Sequence, residues 1–177
     1  MVSSDPRVRV VVVDDHPFFR DGLTRGLVNS GRVDVVGEAE NGRDALELIT
    51  ELRPDVAVVD YQMPDLTGLQ VLSAIVRDGL PTRVLMLSAV VESSVVYSSV
   101  EAGAAGYLSK DARRQEIVDA VLAVSRGRTV VPPELAAGHQ QAGADPQVGG
   151  VVAHGAHHRA QRRGAVPRLA QRRFADL

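Results

Sequence analysis

A chain of 177 residues with no cysteine and a formal net charge of −2 excludes a disulfide scaffold and any thiolate metal site. Its length holds one ordinary domain plus an appendage, or two small domains; a hydrophobic fraction of 45% supplies a core, which the 3% of aromatic residues leaves to Val, Leu, Ile and Ala. No apolar run reaches membrane-spanning length and the N-terminus lacks the basic and apolar regions of a signal peptide, which predicts a soluble cytoplasmic protein with no membrane partner.

Beyond a short lead-in, Val8 to Val13 reads as a strand and delivers the pair Asp14-Asp15. Pro17 suits the first turn of a helix, where its missing N–H is not needed. We assign that helix an apolar stripe of Phe18, Leu23, Leu27 and Val28, with Arg20, Asp21 and Arg25 outside it and Gly31 as its stop. Val33 to Ala39 is a second strand, and Asn41 can cap a helix whose Ala45, Leu46, Leu48 and Ile49 face inward. Asp55-Val56-Ala57-Val58-Val59-Asp60 reads as a strand buried on both faces, as a parallel sheet requires, and turn formers from Tyr61 to Gly68 end it. A third helix over about Leu69 to Val76, a strand over Arg83 to Ser88 and a Ser/Val-rich helix over about Ser93 to Ala102 follow. Gly103-Ala104-Ala105-Gly106 leads into a short strand, Tyr107-Leu108-Ser109, which ends at Lys110, and the last helix spans about Ala112 to Val124. Strand and helix alternate five times, which predicts a doubly wound α/β domain.

In such a sheet ligands collect outside the carboxyl ends of the strands. Four of the predicted strands end there in polar groups: Asp14-Asp15, Asp60, Ser88 and Lys110. Taken singly, an acid pair is a helix cap, a serine a turn residue and a lysine a surface charge. Taken together they suit phosphoryl chemistry. The carboxylates offer the oxygen ligands that magnesium prefers, and Lys110 and Ser88 can meet phosphoryl oxygens as a point cation and a hydroxyl donor. No glycine-rich phosphate loop or Walker-type motif is present, which disfavours a nucleotide hydrolase.

These residues resemble the receiver domain of two-component response regulators. Asp14-Asp15-His16-Pro17-Phe18-Phe19-Arg20-Asp21-Gly22-Leu23, Asp60-Tyr61-Gln62-Met63-Pro64 and Gly103 through Asp111 are similar to the motifs of the NarL/FixJ subfamily. The resemblance implies a flavodoxin-like fold with five parallel strands in the order 2-1-3-4-5, a histidine-kinase donor, Mg2+ dependence and a phosphorylation-dependent homodimer. By position, Asp60 is the phosphoacceptor, and Asp15, Asp60 and the backbone carbonyl of Gln62 bind the metal, with Asp14 acting through a water. Lys110 and Ser88 assist at the phosphoryl group, and Ser88 with Tyr107 form a switch pair. For Tyr107 an ordinary half-buried aromatic with a wet hydroxyl stays open beside this. His16 is expected to pack against or cap the first helix. The implied protein accepts phosphate and is not a multiple-turnover enzyme; a small magnesium-dependent phosphatase with an aspartyl intermediate is the rival from another class.

We place the receiver at 7–125, a linker at 126–137 with a short helix at Glu134-Leu135-Ala136, and a low-order tail at 138–177. The tail holds two acids, Asp145 and Asp176, against six arginines, Arg159, Arg162, Arg163, Arg168, Arg172 and Arg173, and shows no apolar periodicity. Subfamily members continue into a LuxR-type helix-turn-helix with Leu-Thr-x-Arg-Glu-like and Ser-Asn-x-Glu-Ile-Ala-like segments, and neither occurs here. We therefore expect the DNA-binding output to be missing, the tail matching an out-of-frame reading of GC-rich coding DNA. The alternative is an intact transcription regulator whose tail binds DNA in an unfamiliar way.

Overall fold

In a computed structural model the described residues are 6–133. The expected tail at 138–177, the short helix at Glu134 to Ala136 and residues 1–5 lie outside them. Five strands, β1 (Val8–Val13), β2 (Val33–Ala39), β3 (Val56–Asp60), β4 (Arg83–Ser88) and β5 (Gly106–Ser109), form one parallel sheet in the order β2-β1-β3-β4-β5. Helices α1 (Pro17–Asn29), α2 (Gly42–Leu52), α3 (Gly68–Arg77), α4 (Ser93–Glu101) and α5 (Arg114–Ser125) follow the strands in turn. This is the flavodoxin-like arrangement expected from the resemblance.

Side chains alternate across a strand, so each strand feeds two cores. Val10, Val12, Val56, Val58, Leu85, Leu87 and Leu108 pack with Leu23 and Leu27 of α1 and Ile117, Val118 and Val121 of α5. Val11, Val13, Ala57, Val59, Val84, Met86 and Tyr107 pack on the other face with Ala45 and Ile49 of α2, Val71, Leu72 and Ile75 of α3 and Val96 of α4. Local chemistry sets the helix starts. Asn41 accepts the Asp44 N–H at 2.9 Å, and Thr67 and Gln70 bond each other's backbone N–H groups in a capping box.

The inward stripe of α1 differs from the expected one. Phe18 is 93% exposed and Val28 48% exposed, whereas Phe19, Leu23, Gly26 and Leu27 carry the packing. Residues 19, 23, 26 and 27 follow the 3.6-residue period, and position 18 lies about 100° away from that face. Arg20 turns in beside this face rather than outside it, donating to the Asp14 carbonyl at 2.5 Å and pairing with Glu38 at 3.4 Å.

The stretch expected to be a linker is docked at its start. The Tyr107 N–H donates to the Val130 carbonyl at 2.8 Å, and the Val130 N–H donates to the Ala105 carbonyl at 3.1 Å. Val130 is fully buried beside α5, and Val131 nearly so. This short parallel bridge covers the backbone of an otherwise open edge strand. Gly106 permits it, because a Cβ there would lie 3.0 Å from the Val130 carbonyl oxygen and 2.8 Å from Leu85.

Candidate functional site

Strand parity sorts the polar strand ends. Asp14, Asp60 and Lys110 continue the rows of Val12, Val58 and Leu108, on the face of α1 and α5. Ser88 and Tyr107 belong to the opposite row, with Met86. Two groups result, one on each side of the strand ends.

In the first group Lys110 bridges two carboxylates. Its Nζ lies 2.7 Å from Asp14 Oδ2 and 2.8 Å from Asp60 Oδ2, and 4.8 Å from the centre of the Phe19 ring. Asp14 and Asp60 are nearly buried, at 1% and 3% exposure. The second oxygens of both are held by backbone: Asp14 Oδ1 accepts the His16 N–H at 2.8 Å, and Asp60 Oδ1 accepts the Gln62 N–H at 3.1 Å. Asp15 is half-exposed, yet its Oδ1 is buried with no hydrogen-bond partner among the described residues. A dehydrated carboxylate oxygen that accepts no hydrogen bond, with only the His16 Nδ1 near it at 2.9 Å and two more carboxylates beside it, is a donor that a hard cation would satisfy. The residues present thus fit Mg2+, with Asp15 and Asp60 as oxygen donors and Asp14 close enough to act through a water. The cleft above them, about 420 Å³, is lined by His16, Phe18, Phe19, Gln62 and Ala89 together with Asp60 and Lys110.

In the second group Ser88 is fully buried and its Oγ accepts the Val90 N–H at 3.0 Å. Tyr107 is also fully buried and its hydroxyl donates to the Val90 carbonyl at 2.7 Å. The hydroxyl is therefore bonded to the chain and the ring faces inward. Burial pushes the Tyr107 pKa up, with a hydrogen bond to Ser88 acting against it. The backbone of Val90 joins the two residues, a link that spacing in the sequence does not reveal.

Two side chains depart from expectation or went unforeseen. His16 starts α1, but its imidazole makes no capping bond; Nδ1 lies 3.3 Å from Asp14, 2.9 Å from Asp15 and 3.9 Å from Asp60. Phe19, left out of the expected apolar stripe, props the ammonium of Lys110 through its ring face. An aromatic two residues into the helix after an acid pair was the available signal.

Electrostatics set the charge states. Burial pushes the Asp60 carboxyl above its usual 3.8, against hydrogen bonds from Lys110 and the Gln62 N–H, and the charge of Asp14 pushes it further. Burial works to lower the Lys110 pKa, but hydrogen bonds to Asp14 and Asp60 outweigh it, so the ammonium is held more firmly than usual. The folded state binds the Asp60 proton more tightly than the unfolded chain does. The contribution of Asp60 to stability is therefore full below pH 3.8 and lost as pH rises through its raised value. Melting temperatures across the weakly acidic range should fall with rising pH more steeply in the native chain than in Asp60→Asn. Parallel curves would show that Asp60 is not desolvated as described.

The family model of the response regulator receiver domain matches residues 10–122. The chain belongs to that family. NarL of Mycobacterium tuberculosis (strain CDC 1551 / Oshkosh), named as a transcriptional regulatory protein, is 54% identical over 132 residues, covering 75% of this chain and 61% of that protein. The response regulator GacA of Pseudomonas aeruginosa is 36% identical over 129 residues, covering 73% of this chain and 60% of GacA. The chain thus spans about three fifths of the length of these relatives. The structure of the signal receiver domain of NarL from Mycobacterium tuberculosis superposes with a TM-score of 0.68 at 55% identity, covering 69% of this chain and 98% of that one. A LuxR-family two-component response regulator from Aurantimonas sp. SI85-9A1 gives a TM-score of 0.71 at 31% identity, covering 75% and 94%. The chain therefore carries the receiver domain of a NarL/LuxR-type response regulator. Among the described residues no helix is long and apolar enough to cross a membrane.

Proposed function

We propose that this receiver takes a phosphoryl group from a histidine kinase onto Asp60 and uses it to control transcription through self-association. The observation that carries the proposal is Lys110, set between the buried carboxylates of Asp14 and Asp60 at the floor of an open cleft. A carboxylate oxygen of Asp60 attacks phosphorus, the phosphorus–nitrogen bond of the donor breaks, and the donor imidazole leaves with the electron pair. Lys110 then exchanges its contact with Asp60 Oδ2 for a phosphoryl oxygen, because the attacking carboxylate gives up its charge as the acyl phosphate forms. Mg2+, held by Asp15, Asp60 and the carbonyl of Gln62, with Asp14 acting through a water, would offset charge on the transferring group. Ser88 is already anchored through Val90 and offers its hydroxyl hydrogen to a second phosphoryl oxygen.

Mass spectrometry of the full-length chain with Mg2+ and a small phosphodonor tests this: uptake should stop at one phosphoryl group per chain. Sustained turnover of phosphoesters would favour a magnesium-dependent phosphatase instead.

The switch pair is Ser88 and Tyr107, and its output is a homodimer formed through α4, β5 and α5. Ser88 and Tyr107 share Val90 as a hydrogen-bond partner, which supports a switch that biases this face without a long-range relay. Sedimentation at micromolar concentration should show a mass increase on phosphorylation, and an unchanged mass would count against the dimer.

DNA-binding output is missing from 138–177, and the composition of that stretch supports this reading. Any DNA affinity of the full chain should then vanish with salt and show no sequence preference. A salt-resistant footprint on one operator would instead favour an intact regulator with an unfamiliar DNA-binding tail.

A further inference from the structure

The imidazole of His16 has no role in the phosphoryl chemistry above, yet it faces the acid cluster. Its Nδ1 lies 3.3 Å from Asp14 Oδ1, 2.9 Å from Asp15 Oδ1 and 3.9 Å from Asp60 Oδ2. Donors around one small divalent ion at about 2.1 Å are about 3.0 Å apart when adjacent and about 4.2 Å apart when opposite. The separations from Asp15 and Asp14 are close to the adjacent spacing and the one from Asp60 is close to the opposite spacing; a ligand atom from each of the four residues lies within 4.8 Å of the others, a set that a bound ion would draw inward. The contact with Asp15 Oδ1 is not a hydrogen bond, so that buried oxygen keeps a lone pair for a cation. Lys110 engages Asp14 through its other oxygen, Oδ2, and also holds Asp60 Oδ2 at 2.8 Å, so Asp14 Oδ1 and Asp15 Oδ1 are the oxygens left to share an ion with the nitrogen.

We propose that His16 is a nitrogen ligand of the cation in this site. Resting on the metal reading above, the inference changes the class of ion accepted. An all-oxygen set suits hard Mg2+, whereas adding imidazole favours borderline transition-metal cations over it. The helix start fixes the backbone from which the imidazole reaches the cluster: the backbone N–H of His16 is held on Asp14, and Pro17 occupies the first turn of α1. The side chain is 68% exposed, so its removal disturbs no core.

The experiment compares the full-length chain with His16→Ala and His16→Asn. Pulsed EPR of the Mn2+-loaded native chain should show coupling to a directly bound imidazole nitrogen, and both variants should lose the larger part of it. Any remainder common to all three chains belongs to the histidines beyond residue 138. Calorimetric titration should show the preference for Co2+ over Mg2+ falling at least about tenfold in both variants, about 1.4 kcal/mol, with Mg2+ affinity changed much less. Equal nitrogen coupling, or an unchanged Co2+ to Mg2+ ratio, overturns the assignment of His16 alone. Failure of the native chain to bind either ion overturns the metal site as well.

Discussion

Incubated with Mg2+ and a small phosphodonor, the full-length chain should gain the mass of one phosphoryl group and Asp60→Asn should gain none. The expected loss exceeds about a hundredfold in rate, near 2.7 kcal/mol of barrier. The size follows from geometry. Among the acids of the cluster, Asp60 alone lines the cleft, with one oxygen held by Gln62 and the other by Lys110. Asp14 is nearly buried, with its oxygens held by His16 and Lys110, and Asp15 presents a buried oxygen toward the cluster. Neither lines the cleft through which a phosphodonor would approach. The substitution is nearly isosteric and removes a desolvated charge, so the fold should survive it. Labelling that persists in a folded Asp60→Asn chain would sink the assignment.

The second large effect is expected at Gly68, the first residue of α3. A Cβ built there would lie 2.4 Å from the backbone oxygen of Asp60, 2.7 Å from Met86 Cε and 3.0 Å from Tyr61 Cα. Two of these atoms are backbone and cannot rotate away. Gly68→Ala should therefore lower stability by about 1–3 kcal/mol, as overpacking does in a filled core. It should also slow phosphoryl uptake, because the strain falls on the end of β3 that aims the Asp60 carboxylate. Gly22→Ala is the matched control with the opposite sign. No atom lies within 4 Å of a Cβ at that helical position, so the change should stabilise by about 0.5–1 kcal/mol. Equilibrium unfolding in urea reads both. A Gly68→Ala chain as stable as the native one would mean that the α3 start does not press on β3.

Much of this architecture is written locally. A run such as Val56 to Val59 can only be a doubly buried strand, and the turn formers after Asp60 have to end it. Strand starts and ends therefore lie close to those predicted, and with them the placement of Asp14, Asp60, Ser88 and Lys110 at one edge of the sheet. The α1 stripe was misplaced by one residue because Phe18 and Phe19 are equally apolar. Only the phase set by Leu23 and Leu27 against the sheet decides which of them is buried.

What the sequence by itself determined, then, is where each strand ends and which chemical group it carries out of the sheet, because backbone periodicity and turn chemistry are short-range. The tertiary structure decided which groups meet. Parallel pairing places β1 beside β3, and strand parity sends Asp14, Asp60 and Lys110 to one side and Ser88 with Tyr107 to the other. The long stem of Lys110 then crosses from β5 past β4 to Asp60, steadied by Phe19 from α1. Val130 and Tyr107, far apart in helix periodicity and adjacent only across a sheet edge, become hydrogen-bonded neighbours. The imidazole of His16 reaches three carboxylates drawn from two strand ends. Such contacts join residues distant along the chain, and their distances are fixed by how the strands pair and the helices pack, which no local pattern encodes.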